Sequence, residues 1–218
     1  MTYVEFACEM LKQEPVGTPI YTGQIAERIA DHFMLKPKDA AAATAVAVKR
    51  IMDGKMIPDL RFYQKGIYYR TIVTPFGERG IDREQLVADK YLLPDKGYET
   101  GLVFLHRMGL TTQIPKEYVI ATNMAKECAR TDKKLGVVIR PPKVKISAGN
   151  KACLQVLDAL ELLDKAPVDA ERPYGIVANH IRENNLQYEM LLCFADRYYN
   201  RKTIMQLAHT AGEGGYRI

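Results

Sequence analysis

The sequence has no tryptophan and only four cysteines, and no two of those cysteines form a CxxC pair. Their wide spacing predicts neither a zinc site nor a disulfide framework, and we expect a reduced protein. No uncharged apolar run approaches the ~20 residues that a membrane span needs. Glu5 and Glu9 lie where a secretory signal peptide would carry an apolar stretch. We therefore expect a soluble, cytoplasmic protein with no membrane partner.

Sequence signatures of several large enzyme classes are also absent. The chain has no GxxxxGK[ST], HExxH or GxSxG motif, and no GxGxxG between a strand and a helix. Its four histidines lack ligand-like spacing. Asp95 and Asp132 mimic the acids of a metal-dependent nuclease, but they lie in predicted turns and not at converging strand ends. We predict no catalytic residues, no metal and no cofactor.

The positive charge, by contrast, is concentrated in one stretch. The chain of 218 residues has a net charge of +5, and residues 36–70 hold eight basic against three acidic side chains. This segment therefore accounts for the whole excess. Charge gathered in this way indicates a polyanionic partner, most often nucleic acid. The alternative is an ordinary solvated surface. The positions of these charges on the predicted helices and strands have to distinguish the two interpretations.

Three helices are predicted in the first fifty-odd residues. Thr2 and Glu5 fit a capping box that opens the first helix. Thr22 is expected to cap the second helix, and Pro37 to stand in the first turn of the third. Gly54 is expected to end the third helix in the left-handed conformation.

A hairpin is predicted directly after these helices. Two β-prone runs, around residues 56–63 and 67–71, are joined by a turn that contains Gly66. Three helices followed by a hairpin predict a winged helix–turn–helix, which we assign to residues 1–73.

The third helix has a slim outward face. At 100° per residue, the side chains of Ala40, Thr44, Ala47 and Ile51 point to the core, so lysines and alanines occupy the opposite side. A slim face suits the ~12 Å major groove, and lysines at both ends suit the flanking phosphates. With the wing included, the predicted DNA-binding residues are Lys38, Ala42, Ala45, Lys49, Arg50, Arg61, Tyr63 and Lys65.

A second domain is predicted over residues 81–218, after a turn-rich connector at residues 74–80. Asp82 is expected to begin a helix. Further helices are expected at residues 98–108, 151–165, 174–183, 186–199 and 202–209, and strands at residues 118–122, 137–140 and 144–147. The glycine-rich residues 212–215 are expected to fray. The fold class is therefore α+β: a winged helix–turn–helix followed by a mixed α/β domain that ends in a helical segment.

Several short motifs carry a resemblance to a known family. They are KGIYYR at residues 65–70, TPFG at 74–77, TGL at 100–102, MGLTTQIP at 108–115 and VIATN at 119–123. In this order they resemble AbiEi-type antitoxins of type IV toxin–antitoxin, or phage abortive-infection, systems. The resemblance covers roughly residues 15–150. It implies a bacterial protein whose winged helix represses its own operon and whose second domain counters a nucleotidyltransferase-type toxin. Where the family often has arginine in the third helix, this chain has alanines.

The sequence thus predicts a non-enzymatic DNA-binding autorepressor and antitoxin. Its partners would be double-stranded DNA of its own operator and a cognate nucleotidyltransferase-type toxin. Two alternatives stay open: a winged-helix regulator with a ligand-sensing or dimerisation domain, and a DNA-targeted nuclease or modifying enzyme. The sequence leaves open whether the toxin is contacted directly and whether the chain forms a homodimer on DNA.

Overall fold

The computed structural model describes residues 1–215 and divides the chain into two compact units. The first unit is Met1–Leu86, and the second begins at Val87. Both contain helices and strands, so the predicted α+β class is confirmed. Within residues 1–215, no helix is both long and apolar enough to cross a membrane.

The first unit is a winged helix–turn–helix with an additional small hairpin. Its elements are α1 (Tyr3–Gln13), β1 (Ile20–Tyr21), α2 (Thr22–Phe33), α3 (Pro37–Asp53), β2 (Leu60–Gln64), β3 (Ile67–Arg70), β4 (Val73–Thr74) and β5 (Gly77–Glu78). The three-stranded antiparallel sheet has the strand order β1-β3-β2, and β4 pairs with β5. Helix α4 (Arg83–Val87) follows, and its last residue is the first of the second unit.

Local sequence explains why the helices of this unit begin where they do. The capping box is present, because Thr2 accepts from the backbone N–H of Glu5 and the Glu5 carboxylate accepts from the backbone N–H of Thr2. Pro37 occupies the first turn of α3, where its missing N–H costs nothing. One core cluster then buries the inner faces of the three long helices, including Leu11, Ile29 and Ile51.

Two predicted helix ends are wrong in detail. Thr22 does not cap α2: it is the first helical residue, and its hydroxyl donates to the carbonyl oxygen of Gly66 at 3.4 Å. Gly54 ends α3 in the right-handed region with φ −80°, whereas the next residue, Lys55, has φ 48°. The Thr22 hydroxyl therefore contacts the wing and does not cap the helix.

The turn-rich connector predicted at residues 74–80 overlaps a short hairpin formed by residues 73–78. The hydroxyl of Thr74 donates to the carbonyl oxygen of Gly77 at 2.7 Å and so closes the turn. The hydroxyl of Thr71 donates to the carbonyl oxygen of Arg79, also at 2.7 Å. The hairpin therefore belongs to the first unit.

The second unit contains a mixed sheet with helices packed against it. A π-helical turn (Ala88–Leu92) precedes the elements β6 (Gly97–Thr100), α5 (Leu102–Arg107), β7 (Tyr118–Thr122), β8 (Arg130–Asp132), β9 (Val137–Arg140), α6 (Lys151–Leu162), α7 (Pro173–Glu183), α8 (Tyr188–Tyr198) and α9 (Arg201–Glu213). The strand order is β6-β7-β9-β8, and only the β7–β9 pair is parallel. Helices α5 and α6 contact the sheet, and α8 and α9 pack on α6, with α7 against α9. The larger core cluster lies between the sheet and the helices, and a smaller one around Tyr91 and Ile120 covers the other face.

The structure corrects three expectations for this unit. Residues 97–100 form the edge strand β6 and not the start of a helix, because they pair with β7. Residues 144–147 form no strand, whereas Arg130–Asp132 does, paired with β9. The glycine-rich end is not frayed as far as Glu213, which closes α9 and forms an ion pair with Arg172. The strands at residues 118–122 and 137–140 are confirmed.

Candidate nucleic-acid interface

The helix–turn–helix presents the small-residue face of α3 to solvent. The turn between α2 and α3 begins at Met34, whose left-handed backbone has φ 53°. The inner face of α3 is buried at Ala40, Thr44, Ala47, Val48 and Ile51. The predicted outward residues Lys38, Ala42, Ala45 and Lys49 are all exposed, as is Arg50. The helical period of 3.6 residues therefore predicts correctly which of these side chains of α3 are buried and which are exposed.

The wing is fixed against the start of α2. Gly66 has φ 80° in the turn between β2 and β3, a conformation that favours glycine. Its carbonyl oxygen accepts from the backbone N–H of Thr22 at 3.0 Å. Lys65, at the tip, is exposed, and Tyr63 on β2 is half-buried. These contacts hold the wing tip, and with it Lys65, in a defined position relative to α2.

Three of the eight basic side chains in residues 36–70 are held in ion pairs. Lys49 meets Asp53 at 2.7 Å on α3, and this pair is strongly exposed. The Arg70 guanidinium bonds Asp59 and the carbonyl oxygens of residues 12 and 14, which ties β3 to the end of α1. Arg70 thus acts as a structural clamp.

Arg61 is the third paired cation and was one of the predicted phosphate contacts. Its guanidinium meets both carboxylate oxygens of Glu78, at 2.7 and 3.3 Å, and a further N–H donates to the carbonyl oxygen of Pro58 at 2.7 Å. This hydrogen bonding to Glu78 raises the pKa of Arg61 and lowers the pKa of Glu78. A phosphate would have to compete with that carboxylate.

The other five cations of the segment are exposed, and none of them has an ion-pair partner within residues 1–215. They are Lys36, Lys38, Arg50, Lys55 and Lys65. Two of the segment's three acids, Asp53 and Asp59, are already neutralised. The charge available to a polyanion is therefore concentrated at the two ends of α3 and at the wing tip. Sequence reasoning omitted Lys36 and Lys55 because neither lies on the outward stripe of α3.

An acidic groove borders this surface. It has a volume of about 490 Å³ and lies between α2 and the start of α3, with Glu27, Asp31 and Pro37 in its lining. Carboxylates repel phosphate, so a DNA backbone would avoid this groove. The sequence pattern gave no sign of it, because the groove forms only when α2 packs on α3.

The second unit contains a buried ionic network centred on Asp158, which sequence reasoning missed. Asp158 is fully buried in α6, and the partly exposed Arg140 guanidinium of β9 forms an ion pair with it. The hydroxyl groups of Tyr98, Thr100 and Tyr199 donate to the same carboxylate at 2.9, 3.2 and 2.8 Å. One available signal was an aspartate in the apolar stretch LQVLDALELL, since a lone buried acid is rare.

This network joins the helices to the sheet and does not form an open reaction centre. Burial raises the pKa of Asp158, while Arg140 and the hydroxyl donors oppose that rise. Burial also raises the pKa of both Tyr98 and Tyr199. The carboxylate is surrounded by donors from β6, from β9 and from Tyr199 directly after α8, so it fixes how α6 packs on the sheet.

The acids that mimic a nuclease are differently engaged. Asp132 ends β8 and accepts from the Tyr91 hydroxyl at 2.7 Å and the Lys90 ammonium at 2.8 Å. Against the effect of burial, these hydrogen bonds lower the pKa of Asp132 to about 2. Asp95 lies between the π-helical turn and β6. In the described part of the chain, no group of three or more His, Cys, Asp or Glu residues is placed to hold a metal ion.

Comparison with known proteins adds one structural likeness. No protein-family model and no curated protein sequence matches the chain. The crystal structure of the Rv2827c protein from Mycobacterium tuberculosis aligns with 98% of this chain and 77% of its own, at a TM-score of 0.46 and 12% sequence identity. A likeness at this level carries no information about function.

Proposed function

We propose that the chain is a DNA-binding autorepressor and antitoxin that neutralises a nucleotidyltransferase-type toxin in a type IV toxin–antitoxin, or phage abortive-infection, system. The winged helix would bind the operator, and the second unit would counter the toxin. The observation that carries the DNA-binding half is the set of five exposed cations at the two ends of α3 and on the wing, which have no ion-pair partner within residues 1–215. The toxin half rests on the AbiEi-like motifs between residues 65 and 123.

In this proposal the outward face of α3 enters the major groove. Ala42 and Ala45 let the helix approach the base edges closely, because neither side chain extends beyond its β-carbon. Lys38 and Arg50, near the two ends of the helix, meet flanking phosphates. Lys65 reaches the backbone from the wing. These contacts position the helix, and most of the affinity comes from neutralised phosphates.

Gel-shift titration of the DNA upstream of the gene tests the interface. Ala45→Glu places a carboxylate and extra bulk against the groove, so we expect loss of operator binding at 150 mM salt. Lys133→Glu is the matched control: it makes a larger charge change at an exposed turn of the second unit and should affect binding less. If Ala45→Glu binds operator like the parent protein, the assigned face of α3 is wrong.

Growth rescue tests the antitoxin half independently. The nucleotidyltransferase-type toxin encoded beside this gene and the full-length chain are each expressed from unrelated promoters, so that operon repression cannot protect the cell. The Ala45→Glu protein should rescue growth as well as the parent, because the second unit is unchanged. If rescue disappears together with DNA binding, protection depends on the winged helix, and the role assigned to the second unit fails.

A further inference from the structure

A cavity of about 420 Å³ opens in the second unit at one end of the packing between α6 and the sheet. Its apolar wall includes Leu102 at the start of α5, Val119 on β7 and Leu162 at the end of α6. All three side chains are half-buried, so they keep apolar surface that is not used in the core. The volume falls within the ~300–1,000 Å³ typical of small-molecule sites.

Two loops that border the cavity are held in place by hydrogen bonds. The Asp169 carboxylate accepts from the backbone N–H of Thr112, with both oxygens at 3.1 Å, and the backbone N–H of Asp169 donates to the carbonyl oxygen of Leu110 at 3.2 Å. The backbone N–H of Ala166 donates to the carbonyl oxygen of Leu162 at 2.8 Å. The cavity is therefore preformed, which lowers the entropic cost of binding a ligand.

The charged side chains in the cavity lining specify what such a ligand would carry. Lys116, Lys165 and Glu117 are exposed there, and neither lysine has an ion-pair partner in the described part of the chain. Together the three side chains leave a net charge of +1. A ligand with one carboxylate would balance that charge, and a neutral ligand would leave it unbalanced.

We propose that this cavity binds a small apolar molecule bearing a single carboxylate. The apolar body lies against Leu102, Val119 and Leu162, and the carboxylate lies beside Lys116 and Lys165. Leu162 follows Asp158 by one helical turn, so the two side chains lie on the same face of α6. The proposal concerns the second unit alone and does not rest on DNA or toxin binding.

Calorimetric titration of the full chain with octanoate, and separately with 1-octanol, tests the proposal. We expect one octanoate per chain and weaker binding of the alcohol, which lacks the charge. The double variant Lys116→Ala/Lys165→Ala should weaken octanoate about three- to tenfold and leave the alcohol unchanged, because exposed ion pairs contribute modestly. Lys126→Ala/Lys133→Ala removes two exposed lysines from elsewhere in the unit and should change neither titration.

Filling the cavity supplies the second test. Ala166→Phe places a ring in the lining and should abolish binding of both ligands, with the fold checked by circular dichroism. If Ala166→Phe does not fold, the double variant Lys116→Ala/Lys165→Ala still tests the proposal. Failure of octanoate to bind, equal binding of octanoate and octanol, or an unchanged octanoate affinity in the double-lysine variant would each overturn the proposal.

Discussion

The division of the basic segment into paired and unpaired cations makes a quantitative prediction about DNA binding. Lys38→Ala and Lys65→Ala each remove an exposed cation without an ion-pair partner in residues 1–215. Lys49→Ala and Arg61→Ala instead remove cations already bonded to Asp53 and Glu78. If phosphate contact is made mainly by the unpaired group, the two pairs of variants should differ in how their operator affinity depends on salt.

The expected size follows from counterion release. Each neutralised phosphate contributes about 0.9 to the slope of log K against log salt, which corresponds to about 3.5-fold in affinity between 50 and 200 mM salt. Lys38→Ala and Lys65→Ala should each flatten the slope by that amount, and the double variant by about 1.8. Lys49→Ala and Arg61→Ala should flatten it by clearly less, because a carboxylate already competes for those cations.

Releasing a paired cation gives the converse test. Asp53→Asn frees Lys49 on the outward face of α3, so operator affinity should rise and the salt slope should steepen. Fluorescence anisotropy of a labelled operator duplex at five salt concentrations measures both quantities, with Lys133→Ala as a control outside the interface. If Lys49→Ala and Lys38→Ala flatten the salt slope equally, or if Asp53→Asn does not raise operator affinity, the division into paired and unpaired cations is refuted.

Two further predictions concern the second unit. Asp158→Ala removes the carboxylate that pairs with the partly buried Arg140 guanidinium and accepts from the surrounding hydroxyls, and should destabilise the unit by about 3–5 kcal/mol in urea unfolding at pH 7; a loss below about 1 kcal/mol would contradict a central packing role. Asp132→Asn should cost up to about 2 kcal/mol at pH 7, because the pKa of Asp132 falls from 3.8 unfolded to about 2 folded. That stabilisation is present above pH 3.8 and is lost as the pH falls through 2, so unfolding curves of the two proteins should converge there; a constant difference would refute the pKa assignment.

Features encoded by neighbouring residues were predictable from the sequence. The capping box of Thr2 and Glu5 lies within one helical turn, and Pro37 fixes its own backbone at the start of α3. The outward stripe of α3 follows from helical periodicity alone, because the positions of Ala42 and Ala45 around the axis do not depend on the rest of the fold. The order of helices and strands then predicted the winged helix.

Features that join distant residues were decided by the tertiary structure. Arg61 meets Glu78 across 17 positions, and Asp158 gathers partners from 18 positions before it in β9 to 60 before it in β6. Nothing in local propensity distinguishes a cation that ends in such a pair from one that stays free, since both are long, charged and compatible with the same elements. Burial is also decided by the tertiary structure. The sequence of α6 specifies only where apolar residues recur along the helix. The packing of α6 on the sheet determines that Asp158 is buried and that Leu162, one turn away, stays half-exposed.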